Sequence, residues 1–185
     1  MFAGVRLSSR VAVGCARHLA GDLEGSTATL APLHEDARVR GNLRYAVCSV
    51  DAANRVLLDR DHARATTLLM EAGRIQRSAD DTLLAALAAL GTGHREEAAR
   101  LFAVADAQRT MGRQEAAIFH ALRGLYLVKV GRVAEAEDDL AAAARSPVAS
   151  TYVERARAAL RAGPLPADDS PSSLEPQVVA KDGVP

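Results

Sequence analysis

Apolar positions along this chain recur at helical intervals of three and four, most plainly in the stretch Gly131 to Arg145, GRVAEAEDDLAAAAR. Val133, Ala136, Leu140 and Ala143 or Ala144 share one face of the helix this spacing predicts, with Glu135, Glu137, Asp138 and Asp139 turned towards water. Ala136 is short enough to let a preceding helix approach closely, and Leu140 one turn on fills the gap. The same offsets of five, nine and twelve return upstream: Gly93 is followed by Ala98, Phe102 and Ala105, Arg60 by Ala65, Leu69 and Ala72, and Gly21 by Ser26, Leu30 and Leu33. The four copies begin 39, 33 and 38 residues apart, and each follows another apolar helical stretch. The unit is therefore a helix pair that buries its face only by stacking on a neighbour.

Taken in order, residues 5–34 form the first pair, 43–77 the second, 79–110 the third and 114–147 the fourth. In the second pair a helix from Leu43 to Leu58 turns Val47, Val50, Ala53 and Leu57 inward. Its partner from Asp61 to Gln76 does so with Ala65, Leu68, Leu69 and Ala72. Ser78, with Asp80 and Asp81 behind it, caps a helix running to Leu90, where acidic side chains complement the exposed amides. Gly91 and Gly93 break the chain, the next helix ends near Gln108, and Met111 and Gly112 lead into a long helix from Gln114 to Val130. Pro147 closes the fourth pair. Residues 151–162 read as a terminal helix that covers the last exposed apolar face, as stacked repeats require. Five of the seven prolines follow Gly163. With Ser170, Ser172 and Ser173 they predict a disordered tail over 163–185, outside a repeat domain of residues 1–162.

The order of turn glycine, small residue, large apolar residue and small residue, seen as Gly131, Ala136, Leu140 and Ala143, resembles the second helix of a tetratricopeptide repeat. The third copy, GTGHREEAARLFAVADA, resembles it equally. Phe119, Leu122 and Tyr126 match the aromatic, leucine and tyrosine positions of that family's first helix if the inter-helix turn is one residue longer than usual. Leu83, Leu87 and Leu90 match them with a turn one residue shorter. Segments such as HLAGDLEG and GHREEAARLFAVADAQR are also similar to the helical arrays of large LuxR-type ATPase regulators from high-GC bacteria. The first resemblance spans roughly residues 5 to 147. It implies an all-α, right-handed α-solenoid of about four stacked pairs with a terminal capping helix, and a concave face that receives a peptide or helix.

Aromatic residues make up 3% of the chain, so its cores close through short distances between helix axes and not through bulky side chains. Acidic and basic residues balance at 23 each, which gives no general attraction to nucleic acid or an anionic membrane. Lys129 and Lys181 are the only lysines among those basic residues, a bias that reads foremost as GC-rich coding and only secondarily as a hint of phosphate or carboxylate recognition. Cys15 and Cys48 allow one disulfide at most; buried free thiols are expected. No stretch reaches the roughly 18 consecutive apolar residues of a membrane span. Arg6, Arg10 and Arg17 lie on one helical face with no acidic residue before Asp22, a pattern that also suits an organellar transit peptide. The second-helix pattern that follows at Gly21 favours a first repeat helix and a cytoplasmic protein.

Candidate chemistry is sparse. Asp59 precedes His62 by three residues, but a carboxylate-bridged pair of metals needs that motif twice, and His18, His34, His62, His94 and His120 read as scattered surface or capping residues. Gly91, Thr92 and Gly93 have no following lysine and no preceding strand, so they form a turn and not a phosphate loop. No catalytic residue, metal or cofactor is assigned. The function read from the chain is a non-catalytic protein- or peptide-binding module, an adaptor or regulator. Its groove is assigned to Asn54, Leu83, Leu87, Leu90, Leu125, Val128 and Lys129. The lone asparagine and lysine do not repeat the carboxylate clamp known in some tetratricopeptide domains. Two rivals stand beside it: a helical enzyme or small-molecule-binding domain with a pocket between repeats, and a packing module that self-associates through an uncapped first repeat.

Overall fold

A computed structural model describes residues 2–108 and 113–162, and among these the chain is all-α. The helices are α1 (Phe2–Leu19), α2 (Leu23–Leu30), α3 (Gly41–Leu57), α4 (His62–Ile75), α5 (Ala79–Gly91), α6 (Arg95–Ala107), α7 (Arg113–Lys129), α8 (Val133–Ala143) and α9 (Ser150–Ala162). Short 3-10 turns at Ala31–Leu33 and Pro147–Ala149 follow α2 and precede α9. Adjacent helices pack in pairs, α1 with α2, α3 with α4, α5 with α6 and α7 with α8. The first helix of each pair also meets the first helix of the next, and α9 lies on α7 in the same way. Met111, Gly112 and the 163–185 tail lie outside the described residues.

Each pair turns on one residue in the left-handed backbone region. Gly21 (φ 82°), Gly93 (81°) and Gly131 (81°) fill it in three pairs, and Asp59 (54°) in the other. The residue after each donates its amide to a carbonyl five residues back: Asp22 to Arg17 (2.9 Å), Arg60 to Arg55 (3.0 Å), His94 to Ala89 (2.8 Å) and Arg132 to Leu127 (2.9 Å). This closure satisfies carbonyls that the ending helix leaves free. In the second pair the turn position is thus Asp59, not Arg60. One extra residue, Asp61, also left-handed at φ 50°, brings α4 back into register.

Counting seven residues back from each turn position gives Gly14, Ala52, Ala86 and Gly124, all small and all buried. A Cβ added to Gly14 would stand 2.7 Å from Leu30 Cγ, and one added to Gly124 would stand 2.8 Å from Leu140 Cδ2. In the first and fourth pairs the large apolar residue of the second helix therefore rests on a gap in the first helix. Gly124→Ala should destabilise the fold by about 1–3 kcal/mol through overpacking. Gly73→Ala, where nothing lies within 4 Å of the new Cβ, should stabilise it by about 0.4–1 kcal/mol through the unfolded chain's lost freedom. Urea midpoints at constant slope distinguish the two.

The inward positions expected of α4, Ala65, Leu68, Leu69 and Ala72, are all buried. On α3, Val47, Ala53 and Leu57 are buried while Val50 is only half-buried. On α8 the stripe narrows to Ala136, Leu140 and Ala143, because Val133 is 37% exposed and Ala144 lies past the helix end. Asp139, expected in water, is instead 4% exposed. It accepts hydrogen bonds from His120 Nδ1 (2.6 Å) and from the Arg123 guanidinium, both on α7. The fourth pair ends at Ala143, and Pro147 begins the 3-10 turn that leads into α9.

Candidate functional site

A cleft of about 600 Å³ opens where α3, α5, α7 and α9 converge. Ser78 builds its polar side. Its Oγ accepts from the amide of Asp81 (3.0 Å) and starts α5 there, so that the Asp81 carboxylate faces α3. Tyr45 donates to Asp81 Oδ2 (2.8 Å) and Ser49 to Oδ1 (2.5 Å). Burial, with the Asp81 charge adding to it, pushes the Tyr45 phenol up to about 12, so it stays a donor. Asp80, Gln76 and Arg77 stand on the same rim, and Val50, Leu84, Ile118 and Leu122 supply the apolar wall. Tyr152 of α9 reaches the cleft from the far side. Its phenol is raised strongly, by burial first and then by Asp80 and Asp81.

Tyr152 also ends a buried polar chain that crosses four helices. The Ser26 hydroxyl donates to the Gly14 carbonyl (2.8 Å) and accepts from Asn54 Nδ2 (2.9 Å). Asn54 Oδ1 can only accept, so His18 Nδ1 donates to it at 2.7 Å. His18 Nε2 is then the acceptor for the Tyr152 hydroxyl at 2.6 Å. Burial holds His18 below the usual imidazole range, opposed in part by the Asn54 bond. The folded state therefore binds fewer protons at this residue than the unfolded state. The stability that neutral His18 contributes is complete above the free value of about 6.5 and drains away as pH falls below it. The urea midpoint should thus drop between pH 7.5 and 5.5, and His18→Gln should remove that part of the drop.

Six of the seven residues assigned to a groove lie in the interior. Asn54 is 0% exposed inside the polar chain, and Leu83, Leu87, Leu90, Leu125 and Val128 are between 0% and 7% exposed in the main apolar core. They are covered because α5 and α7 carry neighbours on more than one side. Lys129 is half-buried and gives its ammonium to Asp59 (2.9 Å), whose carboxylate also faces His62 Nε2 at 3.3 Å. None of the seven lines the cleft. Its lining was signalled only by Asp80 and Asp81, which the sequence shows as a capped helix start.

The histidines are less peripheral than scattered spacing suggests. His18 is 4% exposed, and His34 Nε2 meets the fully buried Asp51 at 2.9 Å, where Arg55 approaches as well. Burial would raise Asp51, but the His34 and Arg55 contacts win and hold it below the usual carboxylate range. His94, N-terminal to α6, bonds Thr92 at the surface. The cysteines are unpaired, and burial pushes the Cys48 thiol up to about 11 and Cys15 upward as well. Neither is an activated nucleophile. Among the described residues no three His, Cys, Asp or Glu side chains are grouped to hold a metal ion, and no helix is long and apolar enough to cross a membrane.

These features define the chain as an all-α protein of sequentially packed helix pairs with an open, mixed-polarity cleft along its first helices. No protein-family model matches the chain, and no curated protein or solved structure matches it significantly.

Proposed function

We propose that the chain is a tetratricopeptide-like right-handed solenoid acting as a non-catalytic protein- or peptide-binding module, an adaptor or regulatory protein. The observation that carries the reading is the cleft of about 600 Å³ between α3, α5, α7 and α9. First helices of stacked pairs line the concave side of such arrays, and extended or helical segments bind there. The Asp81 carboxylate is already engaged by Tyr45 and Ser49, so it shapes the wall and is not poised as a base. The site moves from the buried leucines to the residues around Val50, Ile118 and Asp80.

Peptides selected on the full chain from a displayed library test this reading. Binding should weaken at least about tenfold, the loss of one anchor contact, with Ile118→Arg in the cleft wall. It should be unchanged with Val133→Arg on α8, where the side chain is already 37% exposed. Selected peptides indifferent to Ile118→Arg would remove the cleft as the binding surface. A second reading, a small-molecule pocket, draws on Asp80, Asp81, Tyr45 and Tyr152 around the same space. Saturable binding of small amines with no peptide binding would favour it.

A further inference from the structure

In a chain with only three phenylalanines and three tyrosines, Phe102 of α6 and Tyr126 of α7 are stacked on each other, with centroids 4.3 Å apart and planes at 14°. Beside them opens a pocket of about 340 Å³, at the lower end of the roughly 300–1,000 Å³ of small-molecule sites. Leu90, Ala99 and Val130 complete its apolar lining. The rest of the lining is Arg95 and Arg132, with no carboxylate among the residues that form it. Asp80 and Asp81, by contrast, stand on the wall of the cleft between α3 and α5, and no residue lines both spaces. Both arginines stand at helix starts, Arg95 as the first residue of α6 and Arg132 as the N-cap of α8. A helix start already carries partial positive charge, so a guanidinium gains no stability from that place. Glu135 holds Arg132 through Nε (2.7 Å) and Nη2 (2.6 Å) from a half-exposed position outside the pocket, and Nη1 takes no part in that pair. Arg123 differs, because the carboxylates of Asp106 and Asp139 both engage it. The Arg132 guanidinium stands 5.9 Å from the Phe102 ring centroid, within reach of the ring's negative face. Burial raises the Tyr126 phenol, with the Arg132 charge opposing, so it stays a donor.

We propose that this pocket binds a small organic carboxylate with an aromatic body. The acid group takes hydrogen bonds from Arg132 Nη1 and the Tyr126 hydroxyl, with Arg95 adding a second positive charge, and the ring lies against Phe102 and Val130. Guanidinium-to-carboxylate hydrogen bonds are about twice as strong as neutral ones. The stacked pair gives the ring a flat apolar seat, and because packing already fixes both side chains no further ordering is needed on binding. A cation or a neutral sugar finds neither a carboxylate nor a row of acceptors here. The volume suits a molecule and not a helix or an extended strand. This site is separate from the cleft, and the proposal holds whether or not a peptide binds there.

The test is a titration of the full chain with 3-phenylpropionate at pH 7, read by the methyl signals of Val130 and Ala99. Those signals should shift saturably, and the uncharged 3-phenylpropionamide should bind at least about tenfold more weakly, the loss of a charge-assisted contact. Arg132→Gln should weaken the acid by about the same factor and leave the amide unchanged. Tyr126→Phe, which keeps the stack and removes only the hydroxyl, should weaken it about threefold, the loss of one neutral hydrogen bond. If Arg132→Gln loses helix by circular dichroism, raised salt on the wild-type chain replaces it, and should weaken the acid and not the amide. No saturable shift, equal binding of acid and amide, or indifference to Arg132→Gln overturns the proposal. Equal binding of 3-cyclohexylpropionate overturns the aromatic body. A tetrapeptide ending in phenylalanine that binds at least about tenfold more tightly than 3-phenylpropionate makes the occupant a chain end and overturns the small-molecule assignment. Ile118→Arg should leave the carboxylate titration unchanged, so failure here is separable from failure of the cleft.

Discussion

Leu87→Glu yields no folded protein. Leu87 is 1% exposed in α5, and α5 packs against α3, α4, α6 and α7 at once. Removing the leucine forfeits about 1.5–3 kcal/mol of apolar burial. The carboxylate that replaces it has no hydrogen-bond donor in the apolar core around it, which adds several kcal/mol more. A domain with a total of about 5–15 kcal/mol does not absorb both losses. Circular dichroism should show loss of helix, and the protein should be found in the insoluble fraction. Leu87→Ala, by contrast, should fold with about 2–5 kcal/mol less stability. A cooperative melt of Leu87→Glu at the wild-type midpoint would mean that Leu87 faces a groove after all.

Asn54→Ala is the second large effect. The amide is fully buried and serves two partners, donating to Ser26 and accepting from His18. Truncation leaves the His18 Nδ1–H without an acceptor and Ser26 without one of its donors, both away from water. The expected loss is about 2–4 kcal/mol, because unmet buried polar groups are penalised in full. The change should be felt at a distance. His18 is then free to take either tautomer, and half of its neutral forms present an N–H to Tyr152 where an acceptor is needed. Amide exchange in α9 should quicken along with the global loss, whereas an equally destabilising change such as Leu68→Ala should leave α9 no faster than the rest.

The sequence made the pairs legible because nesting small against large is a local rule. Ala98 and Ala136 sit five residues past a turn glycine and Ala65 six past Asp59, and all are buried in second helices. The Ser78 cap was readable for the same reason, since its partner amide lies three residues away. The small residues of the first helices were missed, although the signal existed in Gly14, Ala52, Ala86 and Gly124, seven residues before each turn. Taking Arg60 for the second turn residue hid that register by one position. Groove and core could not be told apart on α5 because LLAALAAL is apolar on every side, and period alone does not say which face a neighbour covers. Asp139 illustrates a related limit. A charge on a helix face reads as solvated until its partners, Arg123 and His120 on the preceding helix, are seen. The return of α9 to α1 has no periodic trace at all, since isolated contacts, Tyr152 to His18 and Thr151 to Leu19, carry it across 134 and 132 residues.

The placement of Tyr152 beside the cleft depends on that return. The most direct measurement is a nuclear Overhauser contact between the ring protons of Tyr152 and those of His18 in the full chain at pH 7.5, where the ring centroids stand 5.3 Å apart. The account predicts strong cross-peaks that vanish in His18→Gln, with the imidazole held as the Nδ1–H tautomer by its nitrogen shifts. Cross-peaks from Tyr152 to α7 with none to α1, and a His18 ring that titrates as it does in a free peptide, would contradict it.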